Sequence, residues 1–394
     1  MNILLLTTKF PVDPESPYLS NEICEAFAAR GDSVTVVNID WHNDNGGSCE
    51  QQQGNVLLYN VARLQLTWLP RIFRLPIVWL MSSAAAYFKL HRRLCTQNFD
   101  VCLLTTPMTV FTLFLFLGRR FLKCRWVALC WDFFPSHQVK LGLIPRVISP
   151  ALHFIEEAIY SRCSRICVLS DDYRTFLEAN YRISVDIEVV TTGLWGGPLD
   201  IPDVSELFDR APDDLSKTIV FGGQLAEGRG LVNFIRLCKI SAAVDPALRI
   251  LVIGNGNLLS RLESDCSAQQ IKNIVFENAI SRARYVVLIG NCMAGFVSLD
   301  DTLGCPSFPS KLVDYMRAGL PVVVMDCLNP AIKAFVTANK IGFYVHPEDD
   351  QSVFFAISQL AIIDGQREKI SKNSRECFVR QFNVDRASTL ILPS

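Results

Sequence analysis

Short runs of consecutive apolar residues alternate with longer stretches of helical periodicity along almost the whole chain. In the first half the runs fall at 2–7, 33–38, 56–61, 99–105, 125–131, 165–169 and 186–191. Apolar residues recur at helical spacing between them, over 19–30, 76–94, 108–121, 148–162 and 171–180. After residue 217 the alternation restarts. Strands are predicted at 218–222, 248–253, 273–276, 294–299, 321–325 and 342–345. Helices are predicted at 229–242, 256–269, 281–291, 309–318, 329–339 and 349–362, with a C-terminal pair over 365–391. Alternating strand and helix patterns predict parallel sheets with helices on both faces. The segment 193–217 breaks the rhythm with Gly193, Gly196-Gly197-Pro198, Pro202, Pro212 and many acids, and reads as a linker. The predicted fold class is therefore α/β, two Rossmann-like doubly wound domains facing a cleft. Residues 1–192 form the first, 218–375 the second, and a terminal helix in 376–394 returns to the first. Ligands of such sheets bind beyond the carboxyl ends of the strands.

Composition narrows the function classes. Half of the 394 residues are apolar, so two sizeable cores can form. A net charge of −1 excludes a generally basic nucleic-acid binder. The charge is unevenly spread: residues 55–150 carry twelve Lys/Arg against two acids, Asp100 and Asp132. Residues 1–54 carry two basic and eight acidic residues. One face of the first domain is thus expected to meet an anionic partner. The fourteen cysteines form no C-x-x-C pair and most sit in apolar runs, as small hydrophobes do. That favours a reducing cytosol over a disulfide framework, and no metal site is expected. The start, Met1-Asn-Ile-Leu-Leu-Leu-Thr-Thr-Lys9, lacks a basic n-region and reads as a first buried strand.

No stretch reaches the ~18–20 apolar residues of a spanning helix. Leu75–Phe88 comes part-way and is flanked by Arg71, Arg74, Lys89, Arg92 and Arg93. An apolar body with basic edges suits an interfacial element on an anionic leaflet. Together with Trp79 these residues are the predicted membrane-facing set. The comparable run at 107–118 is assigned to the core.

The chemistry concentrates at predicted strand ends. Phe308-Pro309-Ser310-Lys311-Leu312-Val313-Asp314 opens a helix that Gly319 closes, and Pro321–Met325 follows as a buried strand. Free N–H groups at a helix start attract an anion, and Lys311 adds a full charge. Asp314 follows three positions on, suited to accept from ribose hydroxyls. An ordinary helix start with a Lys–Asp surface pair is the competing explanation. Phe221-Gly222-Gly223-Gln224 and Ile253-Gly254-Asn255-Gly256-Asn257 end consecutive strands, where glycine admits close approach of a ligand. Arg229, in Glu227-Gly228-Arg229-Gly230, opens the next helix. None of these matches G-x-G-x-x-G or a Walker A loop, so the nicotinamide and P-loop classes lack their signal. In the first half, the strand Trp126–Trp131 ends at Asp132, a suitable place for a functional carboxylate, although a turn or cap role is equally open. His137 is the nearest histidine and reads as an exposed loop residue.

These residues resemble the retaining group 1 glycosyltransferases of the GT-B fold, in the branch that builds bacterial surface polysaccharides on lipid carriers. Asp132-Phe-Phe-Pro-Ser136 with Lys140-Leu141-Gly142 is similar to the D-L-W-P-E-S…L-G stretch of that branch. Ser161–Ser170 resembles its A-D-x-I-x-V-x-S strand, and Val252-Ile253-Gly254-Asn255-Gly256 its V-G-x-G. Pro309-Ser310-Lys311…Asp314…Ala318-Gly319-Leu-Pro321 resembles its P-S-K-L-x-E-Y-x-A-A-G-x-P.

The resemblance implies sugar transfer from a UDP- or GDP-type nucleotide-sugar to a lipid-linked glycan or polysaccharide, without a cofactor, by a cytoplasmic protein on the inner face of the membrane. Asp314 stands where the family holds the donor ribose, and Asp132 where it has the His or Asp near the reacting carbon. Arg229 and Lys311 would face the leaving diphosphate. Three departures accompany the likeness. The first acid of the E-x7-E pattern falls at Pro306, with Asp300 and Asp301 nearby as substitutes. Gln224 replaces an arginine, and Pro11–Tyr18 replaces the N-terminal Gly-Gly loop. They leave open a nucleotide-sugar epimerase of this fold and a non-catalytic partner subunit.

Overall fold

The computed structural model describes residues 1–13, 17–41, 48–66, 71–119, 121–197, 214–226, 230–299, 306, 308–326, 329–362 and 365–393, with the side chains of 71–76 and 283 outside that description. The chain forms two compact units. One comprises Met1–Gly197, Cys305–Ser307 and Val384–Ser394, the other Pro198–Gly304 and Phe308–Asn383.

The first unit is built on an eight-stranded sheet of order β3-β4-β2-β1-β5-β6-β7-β8. Its strands are β1 (Asn2–Thr7), β2 (Ser33–Asp40), β3 (Cys49–Gln53), β4 (Val56–Ala62), β5 (Val101–Thr105), β6 (Arg125–Cys130), β7 (Arg165–Val168) and β8 (Glu188–Thr191). Ile3, Leu4, Leu5 and Leu6 are all fully buried in β1, because helices cover both faces of a parallel sheet. Only β3 runs antiparallel, paired with β4 through a tight turn at Gly54-Asn55. Its exposed Glu50-Gln51-Gln52-Gln53 carries no apolar alternation, so an edge strand made by its neighbour left no periodic signal. The helices are α1 (Leu19–Ala29), α2 (Arg71–Leu94), α3 (Thr112–Gly118), α4 (Ser136–Lys140), α5 (Ser149–Tyr160) and α6 (Asp171–Asn180). Helix α2 starts at Arg71 rather than Pro76, and a 3-10 turn, Met108–Phe111, precedes α3. Phe114 and Leu115 are buried, as expected of a core element.

The second unit carries a six-stranded, all-parallel sheet of order β11-β10-β9-β12-β13-β14. The strands are β9 (Thr218–Gly222), β10 (Arg249–Ile253), β11 (Ile274–Glu277), β12 (Ala294–Ser298), β13 (Val322–Met325) and β14 (Gly342–Val345). Helices α7 (Leu231–Val244), α8 (Leu259–Ala268), α9 (Arg282–Asn291), α10 (Ser310–Ala318), α11 (Pro330–Asn339), α12 (Asp350–Ala361) and α13 (Gln366–Gln381) cover it. Its core is one cluster centred on Phe221, Phe234, Phe296 and Val323, all fully buried.

Two boundaries move. Gly193–Gly197, glycine-rich enough to read as linker, belongs to the first unit: Trp195 is buried and its indole N–H donates to the Leu19 carbonyl at 2.9 Å. The predicted 198–213 core of the linker lies outside the described residues. The predicted break after residue 375 falls inside α13, which stays with the second unit; the chain rejoins the first at α14 (Val384–Ile391). There Arg30 and Arg165 each donate to carbonyls at the C-terminal end of α14, Leu392 at 2.9 Å and Leu390 at 2.7 Å. Guanidinium groups at a helix C-terminus satisfy orphan carbonyls and complement the dipole.

Candidate active site

In the second unit the loops after β9 and β10 are zipped together. The Gly223 N–H donates to the Ile253 carbonyl at 2.9 Å, and the Leu225 N–H to the Asn255 carbonyl at 2.8 Å. The parallel pairing thus continues past both strand ends into the turns. So close an approach leaves no room for side chains at Gly254 and Gly256, whose φ values are +145° and +147°. A Cβ on Gly256 would collide with the Leu225 carbonyl oxygen. Gly256→Ala is therefore expected to cost ~3 kcal/mol or more in urea unfolding. Gly290→Ala, on an exposed helical site with open space around its Cβ, is expected to stabilise by ~1 kcal/mol. Equal effects of the two would contradict this account of the loop.

Helix α10 faces the same turn. Pro309 is its N-cap, one place earlier than predicted, Ser310 is exposed at the first helical position, and Gly319 closes it at φ +71°. The Tyr315 hydroxyl, fully buried, lies 3.1 Å from the Val220 carbonyl and accepts from the Gly222 N–H at 3.3 Å, which ties the helix to β9. One turn earlier, Lys311 is only 9% exposed. Its Nζ lies 4.2 Å from the Phe221 ring centroid and 3.3 Å from where a Gly223 Cβ would stand. The ammonium therefore hangs over the Gly222-Gly223 turn, with Gln224 exposed beside it. A largely desolvated cation beside the exposed backbone of Gly223 is suited to an oxyanion.

Asp314 pairs with Arg282 at the start of α9, Nη2 to Oδ1 at 2.9 Å, with both side chains largely buried. Sequence gives no local sign of this partner, which lies in another element. At the start of α7, the Asn233 side chain donates to the Ser298 hydroxyl at 3.0 Å, and that hydroxyl to the Gly230 carbonyl at 3.3 Å. This fixes the chain just after Arg229, which itself lies outside the described residues, as do Asp300 and Asp301. Asn255 is exposed on its turn.

In the first unit, Asp132 lies just past β6. The Thr106 hydroxyl accepts the N–H groups of Trp131 and Asp132 at 3.1 and 3.2 Å, which fixes the turn. The Asp132 carboxylate accepts from the Phe133 N–H at 2.8 Å and from the Gln138 side chain at 3.2 Å, and pairs with His137 Nδ1 at 2.7 Å. Helix α4 turns His137 back onto Asp132. The histidine is thus no free loop residue, contrary to expectation; its spacing of five was the available signal. Trp131 packs edge-on against Tyr18 and Trp195. On the same loop as Thr106, Thr109 donates both its N–H and its hydroxyl to Glu156 Oε1, at 2.7 and 2.8 Å. Glu156 is fully buried, and burial pushes its carboxyl from the ordinary 4.5 up to about 7 against those hydrogen bonds.

The predicted membrane-facing set divides. Trp79 is buried, edge-on to Trp41 and Phe134, because the apolar face of α2 turns inward there; it faces no membrane. Lys89 and Arg92 are exposed, as are Leu80, Met81 and Phe88. Arg93 pairs with Glu50 on β3 and lies over the Tyr59 ring. The side chains of Arg71 and Arg74 lie outside the description. Among the described residues, no helix is long and apolar enough to cross a membrane, and no group of three or more His, Cys, Asp and Glu could hold a metal ion.

Two family descriptions match the chain: "Glycosyl transferases group 1" over residues 205–377 and "Glycosyl transferase 4-like domain" over residues 18–193. The chain belongs to the group 1 glycosyltransferases. No curated protein matches this glycosyltransferase in sequence. Solved structures do. Sucrose-phosphate synthase from Thermosynechococcus elongatus superposes with a TM-score of 0.73 at 15% identity, over 98% of this chain and 96% of that one. WaaG, a glycosyltransferase involved in lipopolysaccharide biosynthesis, gives 0.63 at 15% identity with both chains covered in full. The E. coli trehalose-6-phosphate structure bound with UDP-2-fluoro glucose gives 0.67 at 13% identity, over 98% of this chain and 97% of that one. At these identities the likeness establishes the GT-B fold of the enzyme.

Proposed function

We infer that this glycosyltransferase moves a sugar from a UDP- or GDP-type donor to a lipid-linked glycan or polysaccharide acceptor, with retention, at the inner face of the membrane. The observation that carries the donor half is Lys311 Nζ beside the Gly222-Gly223 turn. There the ammonium and the first N–H groups of α10 stabilise charge developing on the diphosphate as the glycosidic bond breaks. Pro309 and Ser310 set where those N–H groups begin. Asp314, locked in one rotamer by Arg282, accepts from the ribose hydroxyls. Gly254, Asn255 and Gly256 keep the neighbouring turn free of bulky side chains, and Arg229 is assigned to the same diphosphate. In the first unit, the Asp132–His137 pair is assigned to the acceptor and the reacting sugar carbon. The exposed Lys89 and Arg92 are assigned to anionic headgroups, and Arg71, Arg74 and Arg93 of the same helix are assigned to them with these two.

Support from relatives is of two kinds: one neighbour was solved with UDP-2-fluoro glucose, and another is involved in lipopolysaccharide biosynthesis. The test is thermal stabilisation of the wild type, Asp314→Ala and Arg282→Ala by UDP, GDP, ADP and CMP. A ligand at 100 times its Kd adds ~2.7 kcal/mol. One diphosphate is expected to stabilise the wild type, and both variants are expected to lose most of that gain. No stabilisation by any of the four would refute the donor site. Release of nucleotide from its sugar conjugate with no acceptor consumed would point instead to an epimerase.

A further inference from the structure

The start of α5 presents an inverted pattern. Its inward stripe holds Leu152, Glu156, Ile159 and Tyr160, one of them a carboxylate. Its outward side is apolar: Pro150, Ala151 and Phe154 are exposed, as is Val147 in the 3-10 turn Arg146–Ile148 that leads into the helix. Val147 is 80% and Phe154 70% exposed, and Leu143, just upstream, 66%. A soluble helix normally shows water its polar face, and clustered large apolar groups on a surface mark a contact site.

Charge indicates the occupant. Between Asp132 and Glu156 the chain holds no acid but carries Lys140 and Arg146, both exposed. Two acids share this surface: Glu157 is turned to the flank of α5, where its carboxylate accepts from the Arg182 N–H at 2.9 Å and lies 3.9 Å from His153, and Glu178 is exposed on α6 across the groove from Phe154. An apolar ridge edged by cations fits an anionic bilayer, with side chains among the acyl chains and ammonium and guanidinium groups at the headgroups. The ridge also lies on the segment that leaves Asp132. Trp79 of α2 packs against Phe134 at its beginning, 5.3 Å between ring centroids, and Leu80 and Met81 follow exposed on that helix.

We propose that the ridge Leu143–Phe154 inserts into an anionic membrane surface and holds Asp132 near the headgroups from which a lipid-linked sugar projects. This rests on the lipid-linked acceptor assigned above. It moves the main anchor away from α2, whose aromatic Trp79 is buried.

The test is co-sedimentation with vesicles of phosphatidylglycerol and phosphatidylethanolamine, and with phosphatidylcholine vesicles alone. Wild type, Val147→Asp/Phe154→Asp and Arg146→Glu are compared. Binding to the anionic vesicles is expected to fall at least ~10-fold in the double variant and several-fold in Arg146→Glu. The altered side chains are exposed, so UDP or GDP should stabilise all three proteins equally. Vesicle binding by the wild type equal to that of the double variant would overturn the proposal, as would no binding by either. A concentration-dependent wild-type dimer, abolished in the double variant, would overturn it in favour of a second copy on this face. Vesicle binding lost in the variants without nucleotide stabilisation of any protein would leave the ridge standing and remove the donor reading alone.

Discussion

Lys311→Ala is expected to weaken binding of the nucleoside diphosphate by roughly 10- to 100-fold, since hydrogen bonds to a charged group contribute ~1.5–3 kcal/mol. Binding of the bare nucleoside should change by less than about twofold, because the ammonium lies at the Gly222-Gly223 turn and one helical turn from Asp314. Calorimetric titration with UDP and uridine, or GDP and guanosine, separates the two. The stem of Lys311 also covers the Phe221 ring, so truncation opens a space in a buried region. Lys311→Met keeps that volume and removes only the charge. If Lys311→Met binds the diphosphate like the wild type, the lysine is a packing residue and the oxyanion site lies elsewhere. Equal loss for nucleoside and diphosphate would lead to the same conclusion.

Glu156→Gln is expected to stabilise the protein above neutral pH. The carboxyl of Glu156 is raised from 4.5 to about 7 by burial. A raised carboxyl favours the folded state fully below 4.5, and that contribution is lost as pH rises through about 7. The displacement corresponds to ~3 kcal/mol. Glutamine stays neutral throughout and keeps an acceptor for Thr109, so it never meets the cost of a buried charge. In urea unfolding the variant should therefore exceed the wild type by up to ~3 kcal/mol at pH 8, with the gap closing towards pH 4.5. Two parallel pH curves would show that the hydrogen bonds from Thr109 already hold the carboxylate ionised at little cost. The effect reaches the site because Thr109 and Thr106 share one loop, and Thr106 fixes Trp131 and Asp132. Altered fluorescence from Trp131 across the same pH range is the accompanying expectation for the wild type.

The sequence alone determined the parallel α/β architecture, because strands buried on both faces must be apolar at consecutive positions. Ile3-Leu4-Leu5-Leu6 and Val322-Val323-Val324-Met325 announce themselves without reference to any neighbour. The glycines at 223, 254 and 256, and the opening Pro309-Ser310-Lys311, were legible for the same reason: backbone conformation and helix starts are local properties. The family followed from those motifs. What the sequence could not encode locally were pairings between elements. Arg282 meets Asp314 from another helix, and nothing near either residue reveals the other. His137 joins Asp132 only because a five-residue helix, too short to leave a period, turns it back. The polar edge strand β3 exists because β4 offers it hydrogen bonds, and Trp195 is drawn out of a glycine-rich linker by the Leu19 carbonyl. The inverted stripe of α5 is the sharpest case. Periodicity counts apolar positions around a helix but not which side is inward. Only the packing showed that Glu156 faces the core while Pro150 and Phe154 face out.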